Sequence, residues 1–232
     1  MWSRHGATVA VAATLVWGFW ASRPQWSPDM RLWKAIGDAS LVLLIATLSL
    51  GPIARLRPSV RRWLPWRREA GIWFGILAAV HTVLILNGWA RWSLARLLGY
   101  EFVAQLGRTA RMEPGFGLAN VLGLLALAWT LALVATSTDR AIRWLGPRAW
   151  KWLHNASYTI FYLVTAHAGY FLFIHYTLSF HRNPPPPDWF RIPFVLLATG
   201  VVTLQIAAFV TTARRGRSPS RDTGREAEQA RA

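Results

Sequence analysis

Apolar runs recur along this chain at lengths that decide its class. Six stretches, roughly Ala7–Ser22, Ala35–Ala54, Gly71–Trp89, Phe116–Thr136, His154–Phe180 and Ile192–Thr212, are long enough or nearly so to cross ~30 Å of hydrocarbon at ~1.5 Å per residue. The pattern predicts an all-α integral membrane protein, a bundle of about six transmembrane helices. The first run is short. With Arg4 ahead of it and Ala21-Ser22 behind it, that run also reads as a signal peptide, and the remaining topology is the same either way.

Three segments fall outside the spans. Between Arg91 and Gly115, the spacing of Leu94, Leu97, Leu98, Phe102 and Leu106 predicts an interfacial helix on the outer surface. Asn183–Asp188 carries four consecutive prolines, which favour an extended polyproline spacer. From Arg214 onward the chain is polar, charged and poor in aromatics, so residues 1–213 are expected to form one membrane domain and 214–232 a disordered cytoplasmic tail. No convincing internal repeat is visible.

Composition agrees with the pattern. Hydrophobic residues make up 53% and charged residues 16%, too few polar groups to cover a soluble protein of 232 residues. The 15 tryptophans fit membrane–water boundaries. Cysteine is absent, which excludes disulfides, iron–sulfur clusters, covalent haem attachment and thiolate chemistry. The net charge of +16 raises the question of nucleic acid, but the basic residues are split among the loops and form no contiguous face. With a cytoplasmic N-terminus, 17 of them lie inside and 9 outside, as the positive-inside rule requires. Both termini are therefore expected in the cytoplasm.

The chemistry has to come from histidine, because little else in the apolar runs is reactive. His81 lies about ten residues into the third span and His167 about thirteen into the fifth, so both sit near mid-membrane by helix rise. An ionisable side chain there is costly and marks function by default. Two neutral imidazoles at similar depth on different helices suit bis-histidine ligation of a haem. Ala78, Ala79 and Thr82 beside one, and Ala166, Ala168 and Gly169 beside the other, would let a flat macrocycle approach. Plain helix packing uses the same small residues, and a buried histidine can simply bond a neighbouring helix.

Several motifs sharpen that choice. Arg67-Arg68-Glu69-Ala70-Gly71 leads into a span carrying Val80-His81-Thr82; Trp150-Lys151-Trp152-Leu153-His154-Asn155-Ala156-Ser157-Tyr158 precedes His167 by thirteen residues from His154. The second span ends in Thr47-Leu48-Ser49-Leu50-Gly51-Pro52-Ile53-Ala54-Arg55, and Thr136-Ser137 and Leu145-Gly146 precede the fifth. Over roughly residues 35–176 this resembles the ferric reductase-like transmembrane family, and within it the bacterial subgroup without a flavin domain, the haem-binding membrane subunits of periplasmic methionine sulfoxide reductase systems. The resemblance implies a b-type haem ligated by His81 and His167 between the third and fifth spans, and a second haem nearer the cytoplasm held in part by His154. It implies a relay in the bacterial inner membrane, from a quinol or a cytoplasmic flavin reductase to a periplasmic molybdenum-cofactor reductase. Whether the subunit also carries a flavin the resemblance leaves open. No Gly-rich dinucleotide fingerprint is present, so the chain has no means of oxidising a nicotinamide itself.

The remaining polar residues have plainer readings. On a straight helix His154 and His167 point roughly 140° apart, so one simple haem stripe does not take both, and an interfacial histidine bonding water is the common alternative. His175 lies about 80° round from His167 and reads as a weaker ligand; His5 and His181 read as solvated. Arg67, Arg68, Arg148 and Lys151 suit haem propionates, although topology alone explains them. Asp38, Asn87, Asn120, Asn155 and Gln205 suit the lining of a quinone or proton path, although interhelical hydrogen bonding explains most of them. Trp63, Trp66, Trp73, Trp89, Trp92, Trp144, Trp150 and Trp152 read as interface anchors. The rival functions are a small ion-coupled transporter with His81 and His167 as proton relays, and a haem-free assembly factor.

Overall fold

The computed structural model describes residues 2–177 and 185–216. Helix α1 runs from Trp2 to Ala21, α2 from Pro28 to Leu56, α3 from Trp66 to Ile85 and α5 from Phe116 to Ala135. Helices α6 (Asp139–Asn155), α7 (Ser157–Tyr170) and α8 (Arg191–Gly216) follow, with a one-turn α4 at Leu94–Leu97. Among the described residues five helical runs are long and apolar enough to cross a membrane, against about six expected: 28–56, 66–90, 116–135, 139–175 and 191–215. Helix α1, of 20 residues, packs on α2 and α3, with Ala12 and Phe19 in the core and Arg4 Nε 3.0 Å from Oε1 of the buried Glu69.

Helix α2 is the hub. Ser27 caps it by accepting from the Met30 N–H, Pro28 occupies the first turn where its missing N–H costs nothing, and Asp29 sits at the positive end of the dipole. Ala35, Ala39, Leu44 and Leu48 are almost fully buried, because α1, α3, α7 and α8 all pack against it. A helix apolar nearly all round has to be interior. Alanines on its faces let the neighbours approach closely, as small residues do between membrane helices.

Helix α6 is of another kind. Gly146 takes a non-helical φ of 75° ahead of Pro147 and kinks it, and Trp144 and Trp152 are largely exposed on a strongly charged segment. A turn at Ala156 then separates α6 from α7. His154 and His167 thus stand on two helices, and the straight-helix angle between them does not apply. Helices α3 and α7 each end in a π turn, at Leu86–Ala90 and Phe171–His175.

The segment expected to form an interfacial helix is instead a hairpin. Strands β1 (Tyr100–Val103) and β2 (Arg108–Arg111) pair antiparallel, with Tyr100 opposite Arg111 and Val103 opposite Arg108. Gly99 at φ 84° opens it and Gly107 at φ 61° closes its turn, conformations only glycine takes cheaply. The leucine spacing that suggested a helix survives only in α4, where Ser93 caps by accepting from the Arg96 N–H. At the other end α8 continues to Gly216, three residues into the expected tail; residues 217–232, His181 and the first of the four prolines lie outside the described residues.

Candidate functional site: a cavity between two helix pairs

Helices α2 and α3 on one side and α5 and α7 on the other enclose a cavity of about 540 Å³. Its inner part is apolar, with Phe74, Ala126, Leu127 and Val164, and Thr130 at its floor. Its outer part is polar, with Lys34, Asp38, Glu113, His175 and Tyr176. It opens towards the α1–α2, α3–α5 and α7–α8 connections, the side expected to be outside.

His81 and His167 both line it, one from each helix pair. Each ring is anchored at Nδ1: His81 lies 2.9 Å from the Trp33 carbonyl oxygen, and His167 lies 2.7 Å from that of Ala119. A carbonyl only accepts, so Nδ1 carries the proton in both rings and Nε2 is the free lone pair. This is the tautomer a metal-ligating histidine needs, fixed by the type of partner that usually fixes it. Both residues stand nearer the outer ends of their helices than the span limits implied. His81 is fifteen residues past Trp66 and nine before Ala90, because α3 starts five residues early and accommodates Arg67 and Glu69 through bonds to Thr47 and Arg4.

His154 lies outside this cavity. It closes α6, stacks on Trp150 with centroids 4.0 Å apart, and places Nε2 3.2 Å from the Thr136 hydroxyl oxygen. Trp150 in turn donates to the Thr136 carbonyl, so it serves this contact more than the interface. His175 takes the opposite course. It lines the cavity, with Nδ1 2.8 Å from Glu113 Oε2 and its ring beside Phe116 and Phe171. The π turn between residues 171 and 175 changes the angular step assumed for an α-helix. His5 is half-buried on α1.

The outer mouth holds two ionisable groups of interactions. Glu113 is buried and accepts from the Tyr170 hydroxyl as well as facing His175; burial pushes its carboxyl up to about 7. Beside it, fully buried Arg23 meets Asp38 at 2.5 Å and Asp188 at 3.1 Å, and Lys34 meets Asp188 at 3.1 Å. Burial works against the charge on Asp188, but Lys34, the Phe190 N–H and Arg23 outweigh it and hold the carboxyl below its usual range. The cluster ties α1 and α2 to the start of α8 and fixes Lys34, the cation in the cavity lining. None of the arginines suggested for propionates lines the cavity: Arg67 bonds the Thr47 carbonyl and Arg68 pairs with Asp139. Asn120, which also lines the cavity, donates to the Leu97 carbonyl. Glu113 and the Arg23–Asp188 contact escaped sequence reading because their partners are 57 to 165 residues away.

Fold and site together define a multi-pass helical membrane protein with two tautomer-fixed histidines facing one buried cavity. The chain belongs to the ferric reductase-like transmembrane component family, whose pattern matches residues 36–165. It is 31% identical over 200 residues to the protein-methionine-sulfoxide reductase heme-binding subunit MsrQ of Klebsiella pneumoniae, covering 84% of this chain and 85% of that protein. The proteins of that name from Salmonella arizonae and an Enterobacter species are 32% and 30% identical, over 79% and 84% of this chain and 83% and 86% of theirs.

Proposed function

We propose that this chain is the haem-carrying membrane subunit of a methionine sulfoxide reductase system, with a b-type haem between His81 and His167. The observation that carries the reading is the pair of Nδ1–H donations to backbone carbonyls, which leaves the Nε2 lone pair free on two rings that line one cavity. The names of its relatives in three bacteria point the same way. Bound there, a haem would supply reversible one-electron transfer, which no side chain in the cavity offers.

The protein's own part is to hold and insulate. His81 and His167 supply the two nitrogen ligands, and the carbonyl acceptors keep the rings from rotating and raise their basicity. Phe74, Leu127 and Val164 keep water from the inner part, while the Arg23–Asp188 cluster holds Lys34 at the outer mouth. By the positive-inside rule this mouth would face the periplasmic side of the inner membrane, where a reductase carrying a molybdenum cofactor would collect electrons. The donor is a quinol or a cytoplasmic flavin reductase. A second haem, with His154 as one ligand, would lie on the cytoplasmic side at the Thr136–Trp150 contact.

The absorption spectrum of the full chain purified in detergent tests the reading. A low-spin, dithionite-reducible b-type spectrum at one or two haems per chain supports it. Protein that folds and stays free of haem during expression with excess haem overturns it in favour of a transporter or assembly factor.

A further inference from the structure

The two histidine anchors are built alike. His81 reaches the carbonyl of Trp33, and one helical turn further along α2 is Gly37; His167 reaches the carbonyl of Ala119, and one turn further along α5 is Gly123. In both, histidine follows the carbonyl by 48 residues and the glycine by 44. Around these residues α2 and α3 correspond to α5 and α7 at an offset of 86 residues, and the π turns that follow α3 and α7 agree to within one residue.

The physical reason is local. In an α-helix the carbonyl of residue i already accepts from the N–H of i+4, and a side chain at i+4 crowds its second lone pair. Glycine at i+4 leaves that lone pair open to an outside donor. A Cβ on Gly37 would stand 3.1 Å from both Cε1 and Nδ1 of His81, and on Gly123 it would stand 2.8 Å from Nδ1 of His167. A third instance uses another donor: Arg67 Nε bonds the Thr47 carbonyl at 3.0 Å, and a Cβ on Gly51 would stand 3.2 Å from the same guanidinium.

We propose that Trp33–Gly37 and Ala119–Gly123 are one positioning device used twice, in which an uncovered helix carbonyl fixes the tautomer and rotation of each haem-facing histidine. The inference rests on the functional reading above for its haem readouts, but the device itself belongs to the chain. Gly37 and Gly123 line the same cavity, and the role assigned to them is exerted through His81 and His167; they are positioning residues.

The test compares Gly37→Ala and Gly123→Ala with two controls, Gly18→Ala and Gly200→Ala. At both control positions, on α1 and α8, a Cβ meets nothing within 4 Å. Each full-length variant is purified, and haem retention, the low-spin ferric electron paramagnetic resonance signal and the midpoint potential are measured. Gly123→Ala should weaken haem retention roughly 10- to 100-fold and shift the signal, as loss of such supporting partners does. Gly37→Ala, with the looser contact, should do the same to a smaller extent, and the controls should match the parent. Haem-replete Gly37→Ala and Gly123→Ala proteins with parental signals would overturn the device while leaving the haem reading intact.

A second measurement needs no variant. In the parent chain labelled with [15N]histidine, side-chain nitrogen resonances of His81 and His167 should show the proton on Nδ1, with or without haem. A proton on Nε2 in either ring would overturn the device. A parent that never binds haem would sink the functional reading instead, and this resonance would still decide the positioning inference.

Discussion

Replacing Arg23 with methionine should damage the outer end of the bundle more than any other single charge removal. Arg23 is fully buried, with its guanidinium shared between Asp38 and Asp188, whose side chains are 16% and 4% exposed. Lys34 still neutralises Asp188 in the variant, so Asp38 is left as the uncompensated charge. Breaking a buried pair by removing one partner costs about 3–5 kcal/mol. At about 2–4 °C per kcal/mol for a chain of this size, the midpoint should fall by roughly 6–20 °C. Thermal unfolding in detergent, followed by tryptophan fluorescence and by the monomer surviving on size exclusion, measures it. Adding Asp38→Asn removes the orphaned charge and should recover about 0.5–3 kcal/mol. Acid should narrow the gap, because a carboxyl held below its usual range, as Asp188 is, contributes stability that is present above that range and lost as pH falls through its lowered value. A fall under about 2 °C by the same scale, or a double variant weaker than the single one, would refute the reasoning.

Single cysteines placed in the 55–68 loop, the 140–151 loop or the tail should resist impermeant thiol reagents in intact cells, and labelling of the 55–68 loop from outside would reverse the orientation. Glu113 is ordinarily a group of 4.5 and is raised here to about 7, so the folded state keeps its proton while the unfolded state loses it. Its stabilising contribution is therefore complete below 4.5 and lost as pH rises through about 7, with Tyr170, His175 and Tyr176 facing it. A protonated-carboxyl infrared band with a midpoint near 7 should disappear in Glu113→Gln; its persistence would assign the proton elsewhere. His154→Ala should keep the His81/His167 haem; if haem per chain halves, His154 holds a second one, and if it stays constant, the chain carries one.

The helix class was legible because hydrophobic length is a local signal, although five runs among the described residues are long and apolar enough to cross against about six expected. His81 and His167, singled out as ionisable residues deep in apolar runs, both line the cavity. The hairpin was not legible: leucines at helical spacing between Leu94 and Leu106 outweighed Gly99 and Gly107, whose positive φ values decide the backbone there. His175 lines the cavity and His154 does not: a turn at Ala156 and a π turn after Tyr170 break the regular helical angles from which their directions were read. Nor was the repeat visible. It is carried by Gly37 with His81 and Gly123 with His167, while the residues around them differ between the two pairs. Trp33 and Ala119 contribute only a carbonyl, a group every residue has, so no residue type marks them.

Haem per polypeptide in the full chain and in His81→Ala and His167→Ala tests the central claim most directly. Both variants should insert, since an apolar substitution makes a span more hydrophobic, and both should lose the same low-spin haem. Full haem content in either well-folded variant would contradict the pairing of His81 with His167.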